Sequence, residues 1–213
     1  GLYSSTATIS VLARKSRKAS EQEATDYVAA MLLAVSMMFL RFMILILIFS
    51  REIFLSIYPY LLTMAVVAAI VAWFIHSRQK RPEDQPAETE EDDSSNPLEF
   101  KVALIFAVLF VIFTFLTHYT LVYAGTGGLN LLSFVSGFSD ITPFILNLLQ
   151  NTGSVAALII TACSMQAIIS NIMVNMFYAL FFAGKGSKLR PWLLGGFGVV
   201  ITCNLVLLLF FYI

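Results

Sequence analysis

The 213-residue chain is 59% hydrophobic, only 12% charged and formally neutral, with 13 Lys/Arg against 13 Asp/Glu. Soluble domains carry about twice that share of charge and nucleic-acid binders present a basic face, which excludes a soluble enzyme, a nucleic-acid partner and, with two cysteines, a secreted disulfide scaffold. A hydrocarbon core of about 30 Å needs roughly 20 apolar residues per helix; several runs reach that length, so the fold class is an all-α polytopic membrane protein whose first partner is the lipid bilayer.

The chain opens on Gly1-Leu2-Tyr3-Ser4-Ser5-Thr6, followed by an apolar stretch to Ala13 that is too short to span. Arg14, Lys15, Arg17 and Lys18 come next, then two spanning runs at 27–49 and 53–75, the first with Arg41 in its second half. Residues 77–98 are dense in acid, hold three prolines and lack aromatics, the composition of a flexible solvated linker. A third span covers 102–123. The run 129–149 is long enough to cross, but Gly137, Ser139, Asp140 and Pro143 interrupt it. A residue before proline is pushed out of the α region, so this run reads as two half-helices around an unwound turn. Such backbone survives at membrane depth only when buried in protein or lining a cavity. The last two spans are 155–183 and 192–213.

The chain repeats itself. Gly1 to Thr6 resembles Gly137-Phe138-Ser139-Asp140-Ile141-Thr142; Met31 and Ser36 match Met165 and Ser170, which sets Arg41 opposite Asn175; Pro59-Tyr60-Leu61-Leu62 matches Pro191-Trp192-Leu193-Leu194. The three matches occur in order at a nearly constant offset, giving one repeat over 1–76, the linker at 77–98 and a second repeat over 99–213. The second copy has a leading helix, 102–123, that the first lacks. A membrane segment preceding residue 1, or a neighbouring protomer of a homo-oligomer, is therefore expected to complete the first copy. Loop charge swaps sides between the copies, as in inverted-topology repeats. If 129–149 re-enters rather than crosses, Arg51 stands alone against all the other loop Lys and Arg. The positive-inside rule then sets the acidic linker on the cytoplasmic side of a bacterial inner membrane.

Ionisable groups at membrane depth are costly and are functional candidates by default. Arg41 and Asp140 are the two here. They either pair and lock the bundle, or Asp140 ligates a metal cation or titrates in proton coupling while Arg41 gates it. Ser4, Ser5, Thr6, Ser139 and Thr142 supply hydroxyls beside the half-helix ends. Half-helix N-termini attract anions, whereas unwound carbonyls favour cations; the same hydroxyls also bond back to their own helices. Asn147, Gln166, Asn171, Asn175 and Asn204 read as interhelical glue, with Asn171 and Asn175, one turn apart on one face, the best site candidates among them. His118 beside Tyr119 and Tyr123 reads as an interfacial aromatic belt, and Cys163 and Cys203 as small hydrophobes. No nucleophile–base spacing, nucleotide loop or metal-ligand cluster stands in the sequence, so neither an enzyme nor a cofactor is expected.

GLYSSTATISVLARKSRK with the later MMFLRFMILI, and NPLEFKVALIFAVLF with SGFSDITPFILNLLQ and SNIMVN, resemble the C-terminal membrane domain of unknown function in MgtC/SapB-type bacterial proteins. The resemblance covers essentially the whole chain. It implies an MgtC-like membrane region before the domain, and a link to magnesium-limited growth or to regulating other membrane machinery. Two functions are expected on these grounds. One is a transporter or channel for a small solute or ion, such as magnesium, with a polar site between the repeats. The other is a regulatory or assembly module that binds another membrane protein.

Overall fold

In hydrocarbon, backbone groups must find partners within their own segment or a closed sheet. Helices are the regular structure among the described residues of the computed structural model, 5–16, 21–78, 97–150, 155–184, 187 and 189–212. The expectations placed on Ser4 and on the linker interior at 79–96 lie outside them. The elements are α1 (Ser5–Lys15), α2 (Glu21–Phe49), α3 (Arg51–Ser77), α4 (Pro97–Ser136), α5 (Ile141–Gln150), α6 (Ala157–Ala183) and α7 (Arg190–Tyr212). Five of them, α2, α3, α4, α6 and α7, hold stretches long and apolar enough to cross a membrane. Their outer faces leave Ile48, Trp73, Ile105, Val122, Phe177 and Phe210 exposed. A continuous apolar exterior of that kind suits lipid and not water.

α2 and α3 form a hairpin. Ser50 takes an extended conformation (φ −154°) and its hydroxyl accepts the Ile53 N–H at 3.4 Å, an N-cap that starts α3 while ending the run before it. Midway along, Ser36 Oγ donates to the Ala65 carbonyl at 2.9 Å, and at the far end His76 Nδ1 meets Asp26 Oδ1 at 2.8 Å. The core lies between this hairpin and the α6–α7 pair. Phe39 and Tyr60 meet edge to face with ring centroids 6.4 Å apart, and the Tyr60 hydroxyl donates to Asn204 Oδ1 on α7.

α4 has 40 residues, which would make a straight helix about 60 Å long, twice what a bilayer accepts. It does not run straight. Gly125 has φ 59° and ψ −149° inside it. A Cβ built on Gly128 falls 2.7 Å from Thr120 Cγ2, although residues eight apart on a straight helix are about 12 Å apart along the axis. The chain therefore doubles back at Gly125, and the arms 97–124 and 126–136 lie side by side. The sequence reading separated a span ending at 123 from a segment beginning at 129; a single left-handed glycine makes that separation.

The second arm sits against α6 in parallel register. Asn130 Oδ1 meets Cys163 Sγ at 3.4 Å, Ser133 Oγ meets Gln166 Oε1 at 3.0 Å, the Phe134 carbonyl accepts from Ser170 Oγ at 2.6 Å and the Gly137 carbonyl accepts from Asn171 Nδ2 at 3.1 Å. α6 consequently starts at the face where the second arm starts. α5 (Ile141–Gln150) runs back beside the first arm of α4, with Phe144 against Phe113 and Asn147 bonded to Thr114, so 126–150 enters and leaves on one side. Its tip, level with Asn171, lies near the middle of the 27-residue α6. Pro143 does not mark the break. It sits in the first turn of α5, where a helical N–H would have no partner anyway.

α1 runs in the opposite sense to α5. Its first turn meets the tip of the re-entrant loop and the middle of α6, while Arg14 near its end lies over the Phe182 ring at the α6 C-terminus, 4.4 Å from the centroid. The face reached by α1 also receives the end of α3, held by His76 against Asp26, and the start of α7. Arg14, Lys15, Arg78 and Arg190 thus gather at one face and Arg51 at the other.

The two short helices are covered unequally. α5 buries eight of its 10 residues, packed under α4 through Phe113 against Phe144 and Asn147 Nδ2 donating to Thr114 Oγ1 at 2.8 Å. α1 buries only the single stripe Ser5, Ile9 and Ala13, and Val11 remains 52% exposed.

Candidate functional site

Where the first turns of α1 and α5 approach each other, a half-open cavity of about 340 Å³ remains. Ser5, Thr6 and Ser10 line it from α1, Met38 and Arg41 from α2, residues 137–141 from the re-entrant tip, and Asn171, Val174 and Tyr178 from α6.

Local sequence explains how the tip is held. Gly137 lies so close to α6 that a built Cβ would overlap the Ser170 side chain and stand 2.7 Å from the Asn171 N. Asn171 Nδ2 donates to the carbonyls of both Gly137 (3.1 Å) and Ser139 (3.4 Å), and Ser139 Oγ donates back to the Ser136 carbonyl at 3.1 Å. Asn175 Nδ2 donates in turn to Asn171 Oδ1 at 3.2 Å, fixing the orientation of that amide.

Asp140 caps α5. Its Oδ1 accepts from the Thr142 N–H at 3.0 Å and from the Thr142 hydroxyl at 2.7 Å. Arg41 Nη2 donates to that same hydroxyl at 3.0 Å. A threonine oxygen both donates and accepts, so Thr142 joins the two charges in a three-membered relay. Arg41 and Asp140, the two charges singled out in the sequence, thus stand at one place, with the Thr142 hydroxyl bonded to both.

Of the candidates named from sequence, Ser5, Thr6, Arg41, Ser139, Asp140 and Asn171 line the cavity. Thr142 stands behind the wall and organises the charges, and Asn175 is fully buried behind Asn171. Among the described residues, no group of three His, Cys, Asp or Glu comes together that could hold a metal ion; a metal at Asp140 would rest on that one carboxylate. Sequence reasoning missed Ser10, Met38 and Tyr178. Tyr178 continues the Asn171–Asn175 face by one more turn, a signal that helical periodicity carried. The remaining amides are glue: Gln166 meets Ser133, Asn147 meets Thr114 and Asn204 meets Tyr60. His118 and Tyr119 stack edge to face on the exposed side of α4, and both cysteines are free thiols.

An uncharacterized protein of Aquifex aeolicus (strain VF5) is 27% identical over 115 residues, which are 53% of this chain and 50% of that protein. The chain thus spans about half the length of the curated relative it matches. No solved structure matches it. The family described as "Domain of unknown function (DUF4010)" matches residues 1–183. Most of the chain, including both short helices and every wall of the cavity, falls in that match, and the protein belongs to this family.

Proposed function

We propose that the protein is a membrane transporter or channel for a small solute or ion, with the cavity between α1 and α5 as its site. One observation carries this reading: two short helices begin beside each other at mid-depth and run to opposite faces. Discontinuous helices around a midplane site are the device by which inverted-repeat transporters hold a solute. Further support comes from order and contact. The series short–long–long occurs twice, as α1–α2–α3 and α5–α6–α7, and contacts come in exchanged pairs: α1 with α6 and α5 with α2, α3 with α6 and α7 with α2. Under this reading 1–76 and 99–213 are inverted repeats that rock about the site. The setting is a bacterial inner membrane, with the basic face and the acidic linker in the cytoplasm and an MgtC/SapB-type protein around the domain.

The test is flux. Purified protein in proteoliposomes is offered labelled sodium, magnesium, chloride, acetate and inorganic phosphate in turn. Saturable uptake of at least one probe above empty vesicles is expected. Uptake no faster than the leak for every probe, with no probe shifting the melting temperature, refutes the reading. A second function, a regulatory module docked on another membrane protein, is favoured by the uncovered side of α1 at Val11; it takes the lead if flux fails.

A further inference from the structure

We propose that the cavity selects a small oxyanion, a carboxylate or inorganic phosphate, and not a cation. This rests on the transport reading above and gives the substrate its sign of charge.

The argument starts from what a cation would need. Unwound carbonyls and carboxylates are the usual ligands of a hard cation. Here the Gly137 and Ser139 carbonyls both accept from Asn171 Nδ2. The carboxylate of Asp140 faces the first turn of α5, taking the Thr142 N–H and hydroxyl. It offsets that helix terminus and offers no ligand cluster: no other His, Cys or acid joins it in a set of three among the described residues.

The charges that face the cavity then leave a positive excess. The charged side chains on its wall are Arg41 and Asp140. Against that single carboxylate, which caps α5, stand the guanidinium and the N-terminal ends of α1 and α5, both directed into the space and each equivalent to about half a positive charge. No acidic side chain stands in the first turn of α1. The remaining wall supplies hydroxyl-bearing side chains at Thr6, Ser10 and Tyr178, groups that donate hydrogen bonds to an oxyanion without adding charge, whereas the Ser5 hydroxyl already donates to Met38 Sδ at 3.4 Å. Guanidinium is the side chain best matched to carboxylate and phosphate oxygens. At about 340 Å³ the space lies at the small end of ligand pockets and has room for a small oxyanion.

The repeat sharpens this point. The position in α6 equivalent to Arg41 is Asn175, which is buried and bonded to Asn171. The site therefore has one guanidinium, set on one side, and Asp140 caps the short helix on that same side through Thr142.

The experiment measures binding and flux of acetate, inorganic phosphate, sodium and magnesium with the full chain in nanodiscs and proteoliposomes. Wild-type protein is expected to bind acetate or phosphate saturably and to move it, with neither cation competing. Arg41→Gln should weaken oxyanion binding at least tenfold, with Arg41→Lys recovering part of it. Asp140→Asn should tighten oxyanion binding, because it removes the negative charge nearest the site while an amide oxygen remains to cap α5. Should Arg41→Gln fail to fold, the wild-type selectivity and the Asp140→Asn result still decide. Saturable cation uptake that Asp140→Asn abolishes overturns the oxyanion assignment while leaving transport intact. Silence from all four probes overturns the oxyanion assignment, and silence from chloride as well overturns the transport reading with it.

Discussion

Gly137→Ala probes whether the re-entrant tip is seated against α6 at mid-depth. The added methyl would overlap Ser170 Cβ and Oγ and stand 2.7 Å from the Asn171 backbone N. Backbone cannot swing aside as a flexible side chain can, so the tip itself must lift. Overpacking of this sort costs about 1–3 kcal/mol. Lifting also stretches the 2.6 Å bond from Ser170 Oγ to the Phe134 carbonyl and the 3.1 Å bond from Asn171 to Gly137, and one lost bond adds about 1 kcal/mol. The expected loss is about 2–4 kcal/mol, which for a chain of this length lowers the melting midpoint by about 4–16 °C. Thermal unfolding of purified protein in one detergent, followed by circular dichroism, measures it. Gly195→Ala is the matched control: its built Cβ meets nothing within 4 Å, and replacing a helical glycine by alanine there should gain up to about 1 kcal/mol. If Gly137→Ala melts with Gly195→Ala or above wild type, the tip does not pack against α6 and the cavity geometry is wrong.

Two further substitutions test the charge relay and the turn in α4. Thr142→Val removes the hydroxyl between Arg41 and Asp140 and should destabilise by about 1–3 kcal/mol; in a double-mutant cycle with Arg41→Met a coupling of at least about 0.5 kcal/mol is expected, and strict additivity would show that Thr142 joins nothing. Gly125→Ala places a side chain at φ 59° and ψ −149°, a backbone region that is essentially glycine's own and costs other residues about 1–3 kcal/mol; it should lower the melting temperature, whereas Gly127→Ala, with open space around its built Cβ, should not.

The sequence alone determined the class and most of the element plan. Apolar runs of bilayer length have one outcome, because a helix satisfies its own backbone wherever water is absent, and the five spanning stretches followed from that. The break near Gly137 was legible from composition: glycine, serine and aspartate together in mid-run are poor helix formers. Single charges in apolar surroundings also flagged Arg41 and Asp140, since each is too costly to be incidental. Only the tertiary structure decided how these pieces meet. That Gly125 turns α4 back on itself depends on one residue's dihedral angles, to which hydrophobic periodicity is blind. That Thr142 bridges the two charges, that Asn171 occupies the tip carbonyls and that Ser10 and Tyr178 join the wall are all contacts between segments far apart in sequence. A hydroxyl or amide in an apolar helix has the same local signature whether it bonds its own turn, a neighbouring helix or a solute, and the difference lies in what the fold brings opposite it.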